Sequence, residues 1–482
     1  MSDQEIVFNF NRKGKGMKRI LLRAGVSPLI SHDQAEVIMR NRIGSNIGNL
    51  LFPASVSRAL LCEDTVIDTV NTLRRYSSEH VKRINETYDC LVLPFANAFR
   101  CSFLKELNDI TDLVSQLKIP CIVVGIGIQG KKRKAEKQEE LDKAVIRFMK
   151  AVLSKSVMVG LRGEITAEYL SSLGFQAERD FTVIGCPSMY MWGKRLPEMK
   201  VKELKPDSLV SMNSKIQLPQ KFHNFMYRSS TSLPNFHYVA QVIQEIRQMY
   251  MGTDYPVNFA KKIPKHFPTD FTHPIYQSGK GISFTNLPSW LEYLQGKDFS
   301  FGSRIHGNIA SILAGTPCFI VVSDERIKEL VTYHHIPHLM MKDLTKDTCI
   351  FDLYEKADFA AIQKHHEKNF LHYLDFLQVN GLQTIFGEKG DAPECSPYDE
   401  IIRNTEFAPP VRAFSALSVE EQLARLRSIG REQEKWEDYL KNSSPGLAQS
   451  MGEYLKNKVE RKLTANYQNY YPFIQEYSSQ EA

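Results

Sequence analysis

The chain has 482 residues, 43% of them hydrophobic and 24% charged, and its 61 Lys and Arg against 55 Asp and Glu leave a net charge of +6. That length fits two or three domains with ordinary cores. So small a positive excess argues against a dedicated nucleic-acid binder and leaves anionic ligands or a negatively charged surface open.

Residues 1–30 read as a polar N-terminal arm, and 1–11 lack the apolar core of a signal peptide. A first α/β lobe is expected over 31–191. Its apolar runs at 88–94, 120–128 and 156–161 read as buried strands, and 104–117 and 139–153 between them carry helical periodicity. Buried strands alternating with helices predict a parallel sheet covered on both faces. Residues 192–207, rich in Lys, Glu and Pro, break the pattern and read as a linker. A second lobe follows over 208–350, with strands expected at 208–212, 282–284, 299–302 and 318–322. Its helices are expected at 238–249, 289–294, 308–313 and 325–332.

Residues 351–390 read as a helical return segment holding His365, His366 and His372. Residues 391–482 read as a helical C-terminal extension, in which Ser418-Val419-Glu420-Glu421 fits a capping box. Leu447, Met451, Leu455, Val459 and Leu463 recur at spacing four, with Lys456, Lys458, Arg461 and Lys462 beside them, and Tyr467, Tyr470, Tyr471, Phe473 and Tyr477 follow. This basic, tyrosine-rich stretch suits an interdomain or oligomer contact, with a peripheral membrane contact as the alternative. The eight cysteines form no Cys-x-x-Cys pair, and several sit in apolar runs, which suits a reducing, cytoplasmic setting. The longest apolar runs are far too short to cross a bilayer.

Two strand–helix lobes joined by a linker imply a cleft, and ligands in such sheets bind beyond the carboxyl ends of the strands. Chemistry concentrates at one of those ends. The stretch Ser303-Arg304-Ile305-His306-Gly307-Asn308 follows a short strand and opens a helix rich in small residues. A helix start offers unpaired N–H groups to an anion, which makes Gly307 and Asn308 candidate donors beside Ser303. Arg304 adds a fixed cation suited to phosphate or carboxylate, and His306 can exchange protons near neutral pH. The first lobe offers a counterpart: Arg162 follows the strand at 156–161 and precedes a helix. Two such cations facing one cleft suit a substrate carrying both phosphate and carboxylate. A salt bridge from Arg162 to Glu164 or Asp180 is the structural alternative. Asn46 and Asn49 fit either ligand contact or turn and cap roles. Asp324 fits an N-cap, and Lys328 fits either a ligand or a solvated helix charge. The run Lys131-Lys132-Arg133-Lys134 reads as a solvated loop that could attract acceptor phosphates. Adjacent histidines at 334–335 and 365–366 face different ways on a helix and lack carboxylates at ligand spacing, so no metal is expected.

The Ser-Arg-x-His stretch, followed by an apolar helix, Ala314-Gly315-Thr316-Pro317 and a strand, resembles the polysaccharide pyruvyl transferase family. So do Arg162-Gly163-Glu164-Ile165-Thr166-Ala167, the strand and glycine turn Val123-Val124-Gly125-Ile126-Gly127-Ile128, and Gly44-Ser45-Asn46-Ile47-Gly48-Asn49. The segment 322–328, with its acidic-x-x-x-Lys helix start, fits as well. The resemblance spans roughly residues 40–380. Three departures fall in the first lobe: Asn49 where the family often has Asp, Phe95-Ala96-Asn97 for a glycine-rich turn, and Ile184-Gly185-Cys186-Pro187 for a Gly-Asp-Pro segment.

The resemblance implies a two-lobed, GT-B-like α/β fold of two Rossmann-like lobes, with phosphoenolpyruvate as co-substrate, no further cofactor and a sugar hydroxyl acceptor. It implies His306 and Arg304 as catalytic residues, with Arg162, Ser303, Gly307, Asn308, Asn46, Asn49 and Lys328 as substrate-binding candidates. The acceptor would belong to a cell-surface polysaccharide or its precursor, and a lipid-linked acceptor would place the protein at the inner face of the membrane. Two other readings stand beside it: a GT-B-type glycosyltransferase using a nucleotide sugar, and a non-catalytic scaffold.

Overall fold

Ile20, Leu21 and Leu22 are almost wholly buried, because they lie in a central strand of the first sheet. This is the first correction to the sequence reading, which places residues 18–23 in a polar arm. Charges at Lys18, Arg19 and Arg23 mask the apolar centre. Arg19 is nonetheless buried, with its Nε 2.7 Å from the Asp68 carboxylate on the next strand. The computed structural model describes residues 16–71, 73, 76–129, 135–253, 263–387 and 389–442. The basic run 131–134, the apolar repeat at 447–463 and the tyrosines beyond it lie outside the described residues.

The first lobe contains β1 (Lys18–Arg23), β2 (Thr65–Val70), β3 (Cys90–Pro94), β4 (Cys121–Val124), β5 (Val159–Leu161) and β6 (Phe181–Val183). Helices α1 (Gln34–Met39), α2 (Leu51–Leu60), α3 (Ser78–Thr87), α4 (Leu104–Gln116), α5 (Ala135–Leu153) and α6 (Glu164–Ser172) connect them. The order β2-β1-β3-β4 is parallel throughout, and β5-β6 forms a parallel pair. Gly125 and Ile126 both donate to the Gly160 carbonyl at 3.0 Å, so the pair continues the sheet past β4.

The second lobe contains β7 (Val210–Asn213), β8 (Phe236–Val239), β9 (Gly281–Ser283), β10 (Phe299–Gly302), β11 (Cys318–Val322) and β12 (His338–Met340). Its helices are α7 (Gln220–Ser232), α8 (Ile243–Met251), α9 (Pro274–Gln277), α10 (Leu287–Gln295), α11 (Ile305–Leu313), α12 (Glu325–Tyr333) and α13 (Ile350–Glu355). The sheet order is β12-β11-β10-β7-β8-β9-β13, where β13 (Val411–Arg412) comes from the C-terminal extension and is the one antiparallel strand among those described. The expected helix at 238–249 is therefore corrected. Phe236–Val239 pairs with β7 and β9, and the helix starts at Ile243, after Val242, which bridges to Asn46. A run of buried apolar residues beside a helical pattern hides such a boundary.

The chain then returns to the first lobe. Helix α14 (Ala360–Val379) stacks Tyr373 on the buried Tyr190 at 4.7 Å, and His366 bonds the Gly193 carbonyl at 2.8 Å. An aromatic stack of this kind adds ~0.5–1.5 kcal/mol beyond its area burial. The C-terminal extension is not purely helical. Its strand β13 (Val411–Arg412) closes the edge of the second sheet against β9. Helix α15 (Pro397–Arg403) is pinned to α2 by a forked Arg58–Asp399 pair at 2.7 and 2.8 Å. Helix α16 (Val419–Asn442) pairs Glu432 with Arg40 at 3.2 Å and lays Arg425 over Tyr250. The extension therefore braces both lobes.

Two mainly parallel sheets covered by helices make two lobes, as the two-lobed α/β expectation requires. One continuous apolar core runs through both lobes, and a second fills the far face of the first sheet. Between β1 and α2, residues 41–49 reach across to the second lobe. Asn46 pairs with Val242, Ile47 N–H donates to the Gln241 carbonyl, and Ile243 N–H donates to the Ser45 carbonyl. No described helix is long and apolar enough to cross a membrane.

Candidate active site

Arg304 caps the start of α11, and its backbone N–H donates to Asn213 Oδ1 at the end of β7, 2.8 Å away. Its guanidinium donates to the Ser214 carbonyl at 2.7 Å and faces the fully buried Glu245 at 3.3 Å. Burial pushes the Glu245 carboxyl up, and Arg304 opposes that shift. His306, one turn position further, is half-buried. Burial, then Arg162 and Arg326, hold its imidazole well below its ordinary value, so it is neutral at pH 7.

Arg162 arrives from the other lobe. It is almost completely buried and donates to the carbonyls of Gly125 at 2.7 Å and Phe95 at 3.1 Å. Neither Glu164 nor Asp180 pairs with it; Asp180 is held by Arg179. Two carbonyls offset part of the cost of burying a guanidinium but leave its charge unneutralised.

Both arginines and His306 line one cavity of about 630 Å³ between the lobes. Asn46 and Asn49 line it too, each bound within its own loop. Asn46 Oδ1 accepts the Gly48 N–H at 2.7 Å, and Asn49 Nδ2 donates to the Ile43 and Gly44 carbonyls. Gly48 is required by close approach: a Cβ there would sit 2.7 Å from the His306 Cβ.

The wall carries more positive charge than the sequence reading assigns. Arg23, Arg42, Arg100, Lys215 and Arg326 also line the cavity, against Glu106 as the one lining carboxylate among the described residues. Arg23 pairs with Glu106 at 3.1 Å and Arg42 with Glu36. Burial, then Arg326, lowers Arg100. Lys215 donates to Ser323 Oγ at 3.1 Å and faces Asp324 at 3.4 Å, yet burial pulls its ammonium down to about 7. Two buried amide atoms in the wall, Asn97 Oδ1 and Gln241 Nε2, have no hydrogen-bond partner among the described residues. Such a surface suits an anion with several acceptor oxygens.

A sequence model described as polysaccharide pyruvyl transferase matches residues 46–325, more than half of the chain. The chain belongs to the polysaccharide pyruvyl transferase family. No curated protein matches it. Among solved structures, the MnaA–UDP structure from S. aureus is 12% identical with a TM-score of 0.35, covering 75% of this chain and 96% of that one. The glycosyltransferase SnogD from Streptomyces nogalater is 10% identical with a TM-score of 0.30, covering 80% and 98%. A glycosyl transferase family 9 protein from Veillonella parvula is 11% identical with a TM-score of 0.26, covering 74% and 97%.

Within this pyruvyl transferase family member, four of the expected binding residues lie off the cavity wall. Ser303 is fully buried behind it. Asn308 is also fully buried; its Oδ1 accepts from Ser300 Oγ and its Nδ2 donates to the Arg304 carbonyl, so it ties β10 to α11. Gly307 leaves room for Gln241, whose Nε2 would lie 2.1 Å from a Cβ at that position. Lys328 is half exposed and paired with Glu325 at 3.3 Å. The charged residue of this helix that lines the cavity is Arg326, two residues earlier on another face, beside Ile327 and Leu330. Asp324 caps the helix through the Ile327 N–H, as expected. Histidines 334 and 366 each bond a backbone group, and His335 stacks on His365 at 3.6 Å. Among the described residues no group of three or more potential metal ligands gathers.

Proposed function

We propose that the protein transfers the three-carbon unit of phosphoenolpyruvate to two hydroxyls of a sugar, forming a pyruvyl ketal and releasing phosphate. The observation that carries this reading is the convergence of Arg162, Arg304 and neutral His306, from opposite lobes, on one strongly cationic cavity. Phosphoenolpyruvate bears a phosphate and a carboxylate within a few ångströms of each other, the charge pattern that two guanidinia set apart across a cavity complement. The family supplies the reaction class.

In the proposed chemistry one sugar hydroxyl adds to the central carbon and the methylene carbon gains a proton to become methyl. Phosphate then leaves with its bonding electron pair, and the second hydroxyl closes the ketal. Of the two hydroxyl protons, one ends on the methyl group and one on phosphate. His306, neutral before substrate binds, accepts a hydroxyl proton as general base. Anion binding offsets the charge of Arg162 and Arg326, which stabilises the imidazolium so formed and readies it to return a proton. Arg162 and Arg304 hold the substrate's anionic groups and stabilise charge on the departing phosphate. The acceptor is proposed as a cell-surface glycan or its precursor.

The test is phosphate release from phosphoenolpyruvate with glycan acceptors, in wild type and His306→Ala. Loss of release by about 10²-fold or more, with an unchanged thermal melt, is expected. Equal turnover in the variant removes His306 from the mechanism. Release of a nucleoside diphosphate from a nucleotide sugar, without phosphate release, replaces the reading with glycosyl transfer.

A further inference from the structure

Cys186 lies in the first lobe, fully buried, and its Sγ is 3.8 Å from Nε2 of His306 in the second lobe. A contact between lobes needs its backbone held in place, and the end of α12 does so. His334 Nε2 accepts the Cys186 backbone N–H at 2.8 Å, and the Tyr333 hydroxyl donates to the Val183 carbonyl at 2.9 Å. Burial keeps the His334 imidazole well below its ordinary value, so its Nε2 remains a bare acceptor at neutral pH. Phe52 stands 6.0 Å from the His306 ring, and Gly48 flanks its other nitrogen: a Cβ at Gly48 would lie 3.0 Å from Nδ1. The imidazole is thus engaged at Nε2, while Nδ1 lies where Gly48 leaves space.

We propose that Cys186 is a positioning residue for His306: the imidazole Nε2–H donates to Sγ, which keeps Nδ1 bare as the nitrogen that exchanges protons with substrate. A neutral imidazole carries one proton on two nitrogens, and the hydrogen bond made by one decides which is left bare. A thiol sulfur is a weak acceptor, so it orients the ring without the large rise in basicity a carboxylate would impose. Taking a proton at Nδ1 makes Nε2–H a stronger donor and tightens the contact as charge develops. Because the two residues come from opposite lobes, the pair exists only while α12 is docked on the first lobe.

The kinetic arm of the test rests on the pyruvyl-transfer reading; the spectroscopic arm does not. In the full chain, Cys186→Ala is expected to lower kcat about 10-fold with KM for phosphoenolpyruvate within about twofold, and Cys186→Ser to recover most of the loss. Cys186→Asp is expected to move the acid limb of the pH–rate profile up by about one unit, because a carboxylate stabilises the imidazolium. In substrate-free protein labelled with 15N-histidine, with the signal assigned through His306→Gln, the His306 Nε2–H is expected to be protected in wild type and Cys186→Ser and lost to exchange in Cys186→Ala. Wild-type kcat, pH profile and Nε2–H protection in Cys186→Ala would overturn the proposal. Where Cys186→Ala fails to fold, equal pH profiles and equal His306 titration in the Ser and Asp variants overturn it. If wild type releases no phosphate from phosphoenolpyruvate, the pyruvyl reading falls while the Nε2–H signal still decides the role of Cys186.

Discussion

Arg162 and Arg304 occupy the same place in the two lobes: each stands between the end of a parallel strand and the start of a helix, and both line one cavity. They differ in what they bond. Arg162 is held by two carbonyls, whereas Arg304 faces the buried carboxylate of Glu245.

That difference separates folding from binding at Arg304. Arg304→Ala strands Glu245 without its cation and is expected to cost about 3 kcal/mol in a urea melt. The double variant Arg304→Ala/Glu245→Gln should regain most of that stability and still bind phosphoenolpyruvate at least about 10-fold more weakly by calorimetry. Restored binding in the double variant would reduce Arg304 to a structural ion pair.

Lys215 gives binding a pH dependence. Its ammonium, lowered to about 7, is charged below that value and neutral above it. Affinity for phosphoenolpyruvate should therefore fall as pH rises through about 7, and Lys215→Met should bind more weakly with that step removed. Titrations from about pH 6 to pH 8 in wild type and Lys215→Met, compared with each other, isolate the lysine from Glu329, which titrates in the same range. An unchanged slope in Lys215→Met would exclude the residue from the anion site.

Arg326 and Lys328, two residues apart on α12, are expected to behave oppositely. Arg326→Ala should weaken phosphoenolpyruvate binding about 10-fold and raise the titration of His306, whose charged form Arg326 disfavours. Lys328→Ala, on an exposed pair with Glu325, should leave binding unchanged and shift stability by less than about 0.5 kcal/mol.

Glu329 ties stability to pH across the lobes. From α12 it accepts the Thr166 backbone N–H at 3.3 Å, at the start of α6. Burial pushes its carboxyl up to about 7 from 4.5, against the pull of Thr166 and Arg162. The folded state then binds the proton more tightly than the unfolded chain. This contribution is full below about pH 4.5 and declines as pH rises to about 7, by something on the order of 2–3 kcal/mol. Glu329→Gln should flatten that part of the stability profile, which thermal melts at several pH values can follow.

The family motifs, the two α/β lobes and the places of Arg162, Arg304 and His306 at strand ends are legible because each is local. A strand end, a charged residue and a helix start lie within a few positions of one another. Strand β1 was hidden because the charge of Arg19 is matched by Asp68, about fifty residues away. Lys328 comes from the family resemblance, and Arg326, which lines the cavity instead, goes unnoticed because spacing alone does not tell which face of α12 turns toward the cleft. Asn308 is expected to offer a backbone N–H at a helix start, but that N–H donates to the Arg304 carbonyl at 3.3 Å and its side chain is taken by Ser300 on β10.

Sequence by itself determined which chemical groups this protein carries and on which strand ends, because backbone periodicity and turn chemistry are read within short windows. Tertiary structure alone decided the meeting of groups from distant segments: Cys186 with His306, Glu245 with Arg304, and Lys215 and Arg326 with the cavity wall. The physical reason is that charge and proton affinity depend on burial and on neighbours within a few ångströms, and those neighbours come from across the fold. Arg162, which sequence places at a strand end, and Arg326, which it does not single out, add in the fold to the burial that holds His306 neutral.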